Sequence, residues 1–338
     1  MGDNIQFARK PTKGEPWDVA IVGSGPAGLT AAIYTVRGAA STLILAGDNW
    51  GGQLMLTTQV DNFPGFPDGV QGPDLMNQMR QQAERFGAEF IQKNAEHIDF
   101  DSDPKVITAG GEKYRVKVVI IATGADIKWL KVPGEETFRG RGVASCAPCD
   151  APFFKNKQVV VVGGGDSAME EALVLTKYAD KVTIIHRRDE FKASAAMQER
   201  VFAEVKKGKI NIIWNSEILE FLGDIKLEKI RIKNNKTGVE SEMTIDGVFV
   251  AIGHIPATEM FKDKLEVDER GFIIRMPTEH DKEVEEKMHF HTKTSLKGVF
   301  VSGDVHDHVY RQAITAAGFG CMAGLDALRY LDKNIPNW

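Results

Sequence analysis

The segment CAPCD, residues 146–150, holds two cysteines three positions apart, followed directly by an acid. Two sulfurs at this spacing can bind a metal, form a structural disulfide, or cycle between disulfide and dithiol. In the redox case, Pro148 stiffens the turn and removes one backbone donor. Asp150 can then hold or release the proton that thiolate formation requires, or it can serve as the N-cap of a following turn.

The length, cysteine count and net charge of the chain narrow the possible roles of the two cysteines and the possible partners. The chain has 338 residues, three cysteines and a formal net charge of −5. This length predicts about two domains, whose cores are large enough to need no disulfide scaffold. The acidic balance argues against a nucleic-acid partner. Because the sequence shows neither a signal peptide nor an apolar run of about 18 residues, we expect no membrane partner and a cytoplasmic location.

Zinc is the weaker prediction for the two sulfurs, because the chain has no second pair of closely spaced cysteines. The remaining ligands would have to come from His289 and His291 or from His306 and His308, so we predict no metal. The third cysteine, Cys321, stands among small residues on a predicted helix. We expect it to be a buried thiol without a role in turnover.

A glycine-rich motif lies near the start of the chain, in the run WDVAIVGSGPAGLTAAIYTVRG. The run predicts an apolar strand, a tight turn and an Ala-rich helix, and Gly23, Gly25 and Gly28 form GxGxxG in the turn. Such a turn lets backbone amides at a helix N-terminus approach a pyrophosphate. Another strand, STLILAG, follows, but Ala46 stands where an acid would normally bind ribose, so the fingerprint is incomplete.

A second copy of this pattern occurs in KQVVVVGGGDSAMEEALVLTKYADKVTIIHRRDE. Here Gly163, Gly165 and Ala168 form GxGxxA, and the second strand is predicted to end in His186, Arg187 and Arg188. An acid at that point would favour the free 2′-hydroxyl of NAD, whereas two arginines suit the 2′-phosphate of NADP. The alternative is a charged run that faces solvent.

Two further strand ends lie outside the second copy, in VKVVIIATGA and GVFVSGDVHDHVYRQAITAAGFGCMAG. In the latter, Asp304 closes an apolar strand, and a helix of small residues is predicted to open near Arg311 and Gln312. A carboxylate at a strand end can accept hydrogen bonds from a flavin ribityl chain, and a helix N-terminus can stabilise the anionic reduced ring. Both features indicate a flavin site.

The order of these motifs predicts the architecture. The fold class is α/β, with two Rossmann-like FAD/NAD(P)-binding domains of the three-layer β-β-α type, the NADPH domain being inserted into the FAD domain. Strand ends with Gly and Pro place the joints near 126 and 254. The expected domains are a polar arm (1–16), the FAD domain (17–125 and 255–338), and the NADPH domain with the redox CxxC (126–254).

The chain resembles the bacterial-type, low-molecular-weight thioredoxin reductases over nearly its whole length. The resemblance rests on GSGPAG, GGQLMLTTQVDNFPGFP, ATGA, CAPCD, GGGDSAMEEA, HRRDEF, AIGH and GDVHDHVYRQAITAAGFGCMAGLDALRYL, which occur in the order of that family. It implies an FAD flavoprotein, commonly a homodimer, that passes electrons from NADPH to the disulfide of thioredoxin. A hinge rotation between the half-reactions is implied as well.

The resemblance also implies roles for individual residues. Cys146 attacks the substrate disulfide, Cys149 lies beside the flavin, and Asp150 manages the proton. The implied FAD contacts are Gly23, Ser24, Gly25, Pro26, Ala27, Gly28, Gly52, Gln53, Asn62, Ala95, Asp304, Arg311, Gln312 and Ala313. The implied NADPH contacts are Gly163, Gly165, Asp166, Ser167, Ala168, His186, Arg187, Arg188 and Lys192.

The sequence departs from the family at several points. Lys192 replaces the last arginine of the family's HRRxxxR, which keeps the charge but loses the planar fork, so NADPH should be preferred over NADH by a smaller margin. The segment 274–291 is longer than the family's loop, and the terminal NIPNW extends beyond the usual end. The usual Gly after Asp150 is absent.

Two other functions are compatible with parts of the sequence. One is a flavin dithiol oxidase or a ferredoxin-fed reductase, neither of which requires GGGDSA followed by HRR. The other is a non-enzymatic redox sensor, which needs no NADPH site. Because both nucleotide motifs are present, we predict the NADPH-dependent thioredoxin-disulfide reductase.

Overall fold

The computed structural model describes residues 9–57, 59–276 and 290–332. Most of the longer loop predicted at 274–291 lies outside these ranges, as do the terminal NIPNW and the first half of the N-terminal arm. Their predicted features therefore stay predictions.

The chain divides into two compact units. One comprises the residues up to Asp126 and from Ile255 onward, and the other comprises Ile127–His254. The second unit is thus a continuous stretch of chain inserted into the first. Across the described ranges, no helix is both long enough and apolar enough to span a bilayer.

The strands, numbered in chain order, are β1 Trp17–Val22, β2 Thr42–Leu45, β3 Gln59–Val60, β4 Val70–Gln71, β5 Glu89–Ile91, β6 Ala95–Asp99, β7 Lys105–Ala109, β8 Glu112–Ile121, β9 Ala125–Ile127, β10 Val143–Ala144, β11 Gln158–Val162, β12 Lys181–Ile185, β13 Ile210–Ile213, β14 Ser216–Gly223, β15 Leu227–Asn234, β16 Glu240–Thr244, β17 Gly247–Val250, β18 His254–Pro256 and β19 Val299–Val301. The α-helices are α1 Pro26–Arg37, α2 Gly72–Arg85, α3 Glu135–Phe138, α4 Ala147–Asp150, α5 Asp166–Leu175, α6 Ala195–Lys206 and α7 Ala313–Leu331.

The first unit is built on a sheet of order β5-β2-β1-β8-β7-β6, with β19 also paired to β8. Strand β1 runs parallel to both β2 and β8. Its side chains alternate between two cores: Val19 and Ile21 pack with residues of α1, α2 and α7, whereas Ala20 and Val22 pack with residues of β6 and β7. Both faces of the sheet are therefore covered, which explains why β1 reads as an almost continuous apolar run.

The second unit repeats this plan. Its central sheet, β10-β17-β11-β12-β13, is entirely parallel, and a separate antiparallel sheet is formed by β14-β15-β16. Val159 and Val161 face a core shared with α5 and α6, whereas Val160 and Val162 face Phe221 and other residues of the antiparallel sheet. This unit has the β-β-α layers predicted from the sequence, and the predicted α/β class is confirmed.

Helices α1 and α7 approach each other closely because small residues line their contact. A side-chain carbon at Gly320 would collide with the carbonyl oxygen of Ala27 and crowd the Cβ of Thr30. By contrast, Gly318 on the same helix is exposed and has no heavy atom near the position of a Cβ. The sequence run AAGFGCMAG thus serves helix packing.

These two glycines make a matched pair. We expect Gly320→Ala to lower the free energy of unfolding by about 1–3 kcal/mol through overpacking. Gly318→Ala should be neutral or stabilise by up to about 1 kcal/mol, because alanine favours the helix. Thermal midpoints of the flavin-loaded protein measure both effects, and equal midpoints for the two variants would contradict this packing.

Candidate functional site

The sulfurs of Cys146 and Cys149 are joined in a disulfide, with Cα atoms 5.3 Å apart. Helix α4 begins directly after Cys146, and the backbone N–H groups of Cys149 and Asp150 donate to the Cys146 carbonyl at 3.2 and 3.0 Å. Pro148 is tolerated there because the first turn of a helix needs no N–H from it. Cys146 is half-buried and Cys149 is exposed, so the tight turn leaves both residues at least partly accessible.

Asp150 is half-buried next to this disulfide. Burial raises the pKa of its carboxyl to about 6, which brings proton release into the range of neutral pH. The side chain makes no capping hydrogen bond to the short helical turn that follows. The N-cap alternative is therefore not realised in this structure.

The structure offers no support for the metal alternative. Both sulfurs of the CxxC pair bond to each other. Within residues 9–57, 59–276 and 290–332, no group of three His, Cys, Asp or Glu side chains could hold a metal ion. Cys321 is a free thiol, but it is half-buried, so the expectation of a fully buried thiol is wrong.

The second glycine motif connects β11 to α5. Gly163 has a φ of 155°, and a side chain there would collide with the Ala251 carbonyl, so only glycine fits this turn. Gly165 forms the N-cap of α5 without a side-chain hydrogen bond, and the space beside its Cα is open. The first amides of α5 can therefore approach a pyrophosphate.

The loop after β12 folds back onto this motif. The N–H groups of Lys192 and Ala193 donate to the Gly164 carbonyl at 2.8 and 3.1 Å. The Asp166 carboxylate accepts hydrogen bonds from the backbone and the hydroxyl of Ser194, at 2.9 and 2.7 Å. In this structure Asp166 thus closes the loop that carries the predicted 2′-phosphate residues.

The side chains of that loop divide into a buried and an exposed set. Arg187, Arg188 and Lys192 are exposed and lie within six positions of one another. His186 is buried against Phe191, its Nε2 atom has no hydrogen-bond partner, and burial lowers the pKa of its imidazole. The three cations are therefore available to an anion, while the buried His186 ring packs behind them.

The first glycine motif connects β1 to α1 in the same manner. Gly23 has a φ of 114°, and a side chain there would collide with the Ala122 carbonyl. Ser24 is buried, and its hydroxyl donates to the Ala46 carbonyl at 2.8 Å and accepts from the Gly51 amide at 2.9 Å. Ala46 thus contributes a main-chain carbonyl to the site, and Ser24 fixes the Gly51–Gly52 turn beside the open N-terminus of α1.

Two other predicted FAD residues make side-chain hydrogen bonds across the first unit. Asn62 Nδ2 donates to Gln312 Oε1 at 3.1 Å, so a short loop is tied to the residue that caps α7. Gln53 Nε2 donates to Asp126 Oδ1 at 3.2 Å. Ala95 is the half-buried first residue of β6. The structure thus joins Asn62 and Gln312, and it shows no direct bond from Ala95 to either.

Asp304 lies just after β19, with one carboxylate oxygen buried and without a hydrogen-bond partner. Burial, and then the neighbouring negative charge of Asp307, raise the pKa of Asp304 to about 6. A buried acceptor without a donor is costly in a folded protein, and a ribityl hydroxyl would satisfy it. Asp304 therefore has the property expected of a flavin ligand.

Asp307 shapes the backbone next to the predicted FAD residues Arg311 and Gln312, and the sequence reasoning missed it. Its buried carboxylate accepts the N–H groups of Val309, Tyr310 and Arg311 at 3.0, 3.0 and 3.2 Å. It thereby folds the segment that leads into α7 and holds Arg311 at a φ of 48°. The available signal was an Asp six residues before the start of α7, in a segment without an apolar pattern, where Asp commonly forms Asx turns.

Both predicted cofactors fit the residues present. For FAD, the chain offers the open N-terminus of α1 at Gly25 and the partnerless oxygen of Asp304. For NADPH, it offers the open N-terminus of α5 at Gly165 and the exposed cations Arg187 and Arg188. Amides, a carboxylate and guanidinium groups are the donors and acceptors that these dinucleotides require.

Comparison with known proteins agrees with this site. Residues 17–320 match the family described as pyridine nucleotide-disulphide oxidoreductase. The thioredoxin reductase of Streptomyces clavuligerus is 49% identical over 317 residues, 93% of this chain and 94% of that protein. The solved thioredoxin reductase from Giardia duodenalis is 41% identical with a TM-score of 0.84, covering 94% of this chain and 99% of that one. The one from Streptococcus pyogenes MGAS5005 is also 41% identical, with a TM-score of 0.83 and coverages of 94% and 98%.

The chain therefore belongs to the pyridine nucleotide-disulphide oxidoreductase family. Within that family its relatives place it among the thioredoxin reductases. Members of this family use FAD and NADPH, so the prediction of an enzyme that works with these two cofactors and a redox disulfide is confirmed.

We predict that Asp307→Ala weakens FAD retention by about 10-fold or more, because three backbone amides lose their acceptor and each costs roughly 1–3 kcal/mol. The ratio of flavin absorbance to protein absorbance after gel filtration measures this loss. His308→Ala, at the exposed neighbouring position, is the matched control and should keep its flavin. Full flavin content in Asp307→Ala would show that the turn formed by Asp307 before α7 is not needed for FAD binding.

Proposed function

We propose that the protein reduces the disulfide of thioredoxin with electrons from NADPH. The observation that carries this proposal is the Cys146–Cys149 disulfide, which lies in the same unit as the second glycine motif and is followed by an acid of raised pKa. The relatives named thioredoxin reductase support the choice of thioredoxin as the acceptor.

We assign the cofactor contacts as the resemblance implies. FAD is held in the first unit by Gly23, Ser24, Gly25, Pro26, Ala27, Gly28, Gly52, Gln53, Asn62, Ala95, Asp304, Arg311, Gln312 and Ala313. NADPH is held in the second unit by Gly163, Gly165, Asp166, Ser167, Ala168, His186, Arg187, Arg188 and Lys192. When bound, these two cofactors supply the two electrons that convert the disulfide to a dithiol.

The protein's own residues then carry out the exchange. The Cys146 thiolate attacks one sulfur of the partner disulfide, which forms a mixed disulfide and releases the other partner sulfur as a thiolate. Cys149 attacks Cys146 in turn, so that the internal disulfide forms again and the second partner sulfur leaves. Asp150 holds the proton that the attacking thiol gives up and returns it to a leaving sulfur.

We further propose that the two units rotate about the joints near 126 and 254 between the half-reactions. Because the redox turn and the nicotinamide contacts belong to one unit, each has to reach the flavin in turn. Strands β9 and β18 pair at these joints, which leaves two short connections as a hinge. An engineered disulfide that locks one arrangement should stop turnover, and undiminished turnover would exclude rotation.

We also propose a homodimer located in the cytoplasm. The exposed apolar side chains of Val309 and Tyr310, just before α7, and of Ile314 in its first turn are consistent with a surface that a second copy covers. Light scattering of the purified flavoprotein tests this, since the mass of a single chain in dilute solution would exclude the dimer.

The electron donor can be tested with Arg187→Gln combined with Arg188→Gln. Loss of charge-assisted hydrogen bonds to the 2′-phosphate should raise KM for NADPH by about 10- to 100-fold. KM for NADH should stay within about twofold, because NADH has no such phosphate. Arg200→Gln combined with Lys206→Gln, at two exposed positions on α6, is a control with the same loss of two charges. A parallel change for both nucleotides would contradict the assigned phosphate site.

Asp150→Asn should lower thioredoxin turnover by about 10²-fold, because general acid–base transfer is lost. The wild-type rate should show an ionisation near pH 6 that the variant lacks.

The dependence of thermal stability on pH is an independent check of the same variant. Since the folded pKa is raised, the stabilising contribution of the protonated carboxyl is complete below about pH 4 and is lost as pH rises through about 6. The variant should therefore gain thermal stability over the wild type above pH 6, and a pH-independent difference would contradict the raised pKa.

A further inference from the structure

The peptide group between Cys146 and Ala147 is held from both sides. Its carbonyl accepts the N–H groups of Cys149 and Asp150 at 3.2 and 3.0 Å. Its N–H donates to Oε2 of Glu171 on helix α5. Because a peptide group is planar, fixing both its carbonyl and its N–H fixes the orientation of the whole unit, and with it the backbone of Cys146.

Ala147 is buried, with 0% of its surface exposed, so its hydrogen bond to Glu171 cannot be exchanged for a bond to water. A buried amide left without an acceptor would cost stability or force the turn to rearrange. Within the described part of the second unit, Glu171 is thus the acceptor on which the orientation of this peptide depends.

The position of Glu171 on α5 connects two functions. Helix α5 begins at Asp166, beside the glycine turn assigned to NADPH, and Glu171 lies five residues further along, about 7.5 Å along the helix axis. One rigid helix therefore presents the nucleotide turn at its start and supports the redox turn through Glu171. The GGGDSAMEEA motif contains both the nucleotide turn and Glu171.

We propose that Glu171 is a positioning residue for disulfide exchange. It acts through the Ala147 amide by keeping the turn in the conformation in which the two sulfurs meet, so that Cys149 reaches Cys146 after the mixed disulfide has formed. This inference rests on the proposed function, since it concerns the same redox turn. The property of Glu171 that matters in this proposal is the position of its acceptor oxygen next to the Ala147 N–H, and not its negative charge.

Two variants separate the position of the acceptor oxygen at residue 171 from its negative charge. Glu171→Gln keeps an oxygen at the same distance from the helix and removes the charge. Glu171→Asp keeps the charge and withdraws the oxygen by one methylene. We expect Glu171→Asp to lower kcat with thioredoxin by about 10-fold or more, and Glu171→Gln to stay within about threefold of wild type. KM for NADPH and the bleaching of the flavin by NADPH should be unchanged in both variants.

The controls keep the inference apart from the proposed function. Glu199→Gln, at an exposed position on α6, controls for the loss of one carboxylate from the same unit. Each variant is also assayed with a small aromatic disulfide as acceptor. If the wild type reduces this compound but not thioredoxin, the proposed function fails, while the comparison between Gln and Asp still tests Glu171. Full turnover in Glu171→Asp, or a loss in Glu171→Gln as large as in Glu171→Asp, would overturn the positioning role.

Discussion

The close approach of a glycine to a neighbouring main-chain carbonyl is the constraint on which both nucleotide-type turns depend. In the first unit Gly23 meets the carbonyl of Ala122, and in the second Gly163 meets that of Ala251. Each carbonyl belongs to the residue after a neighbouring parallel strand, β8 or β17. A side chain at either glycine would push these strand ends apart. The following helix would then no longer direct its free amides to the end of the sheet, where a dinucleotide binds.

The second unit combines this turn with the redox pair. Helix α5 starts at the glycine turn and also provides the acceptor for Ala147, the residue after Cys146. The unit therefore carries the nucleotide turn at the start of α5, and the disulfide and the half-buried acid Asp150 on the neighbouring helix α4. The thiol chemistry needs little more than this from the protein: a turn that brings two sulfurs together and a carboxyl whose pKa lies near the working pH.

The sequence predicted the parts of the fold that depend on local pattern. Apolar strands, glycine turns and helices of small residues are encoded within some thirty consecutive residues, and their nested order indicated one domain inserted into another. Ser24 and Glu171 show what local pattern does not contain. Ser24 bonds to Ala46 and Gly51, and Glu171 bonds to Ala147, 24 positions away. Such partners are set by the packing of the whole unit. The N-cap role considered for Asp150 was locally plausible, but burial beside the disulfide gave the carboxyl a different environment.

The visible spectrum of the purified flavoprotein during anaerobic addition of NADH, then NADPH, then oxidised thioredoxin tests the central claim most directly. The account predicts that NADPH bleaches the flavin at much lower concentration than NADH, and that oxidised thioredoxin restores the absorbance. A flavin that neither nucleotide bleaches would contradict the NADPH site at Arg187 and Arg188. A bleached flavin that thioredoxin does not restore would contradict the role of the Cys146–Cys149 pair as a donor to that partner.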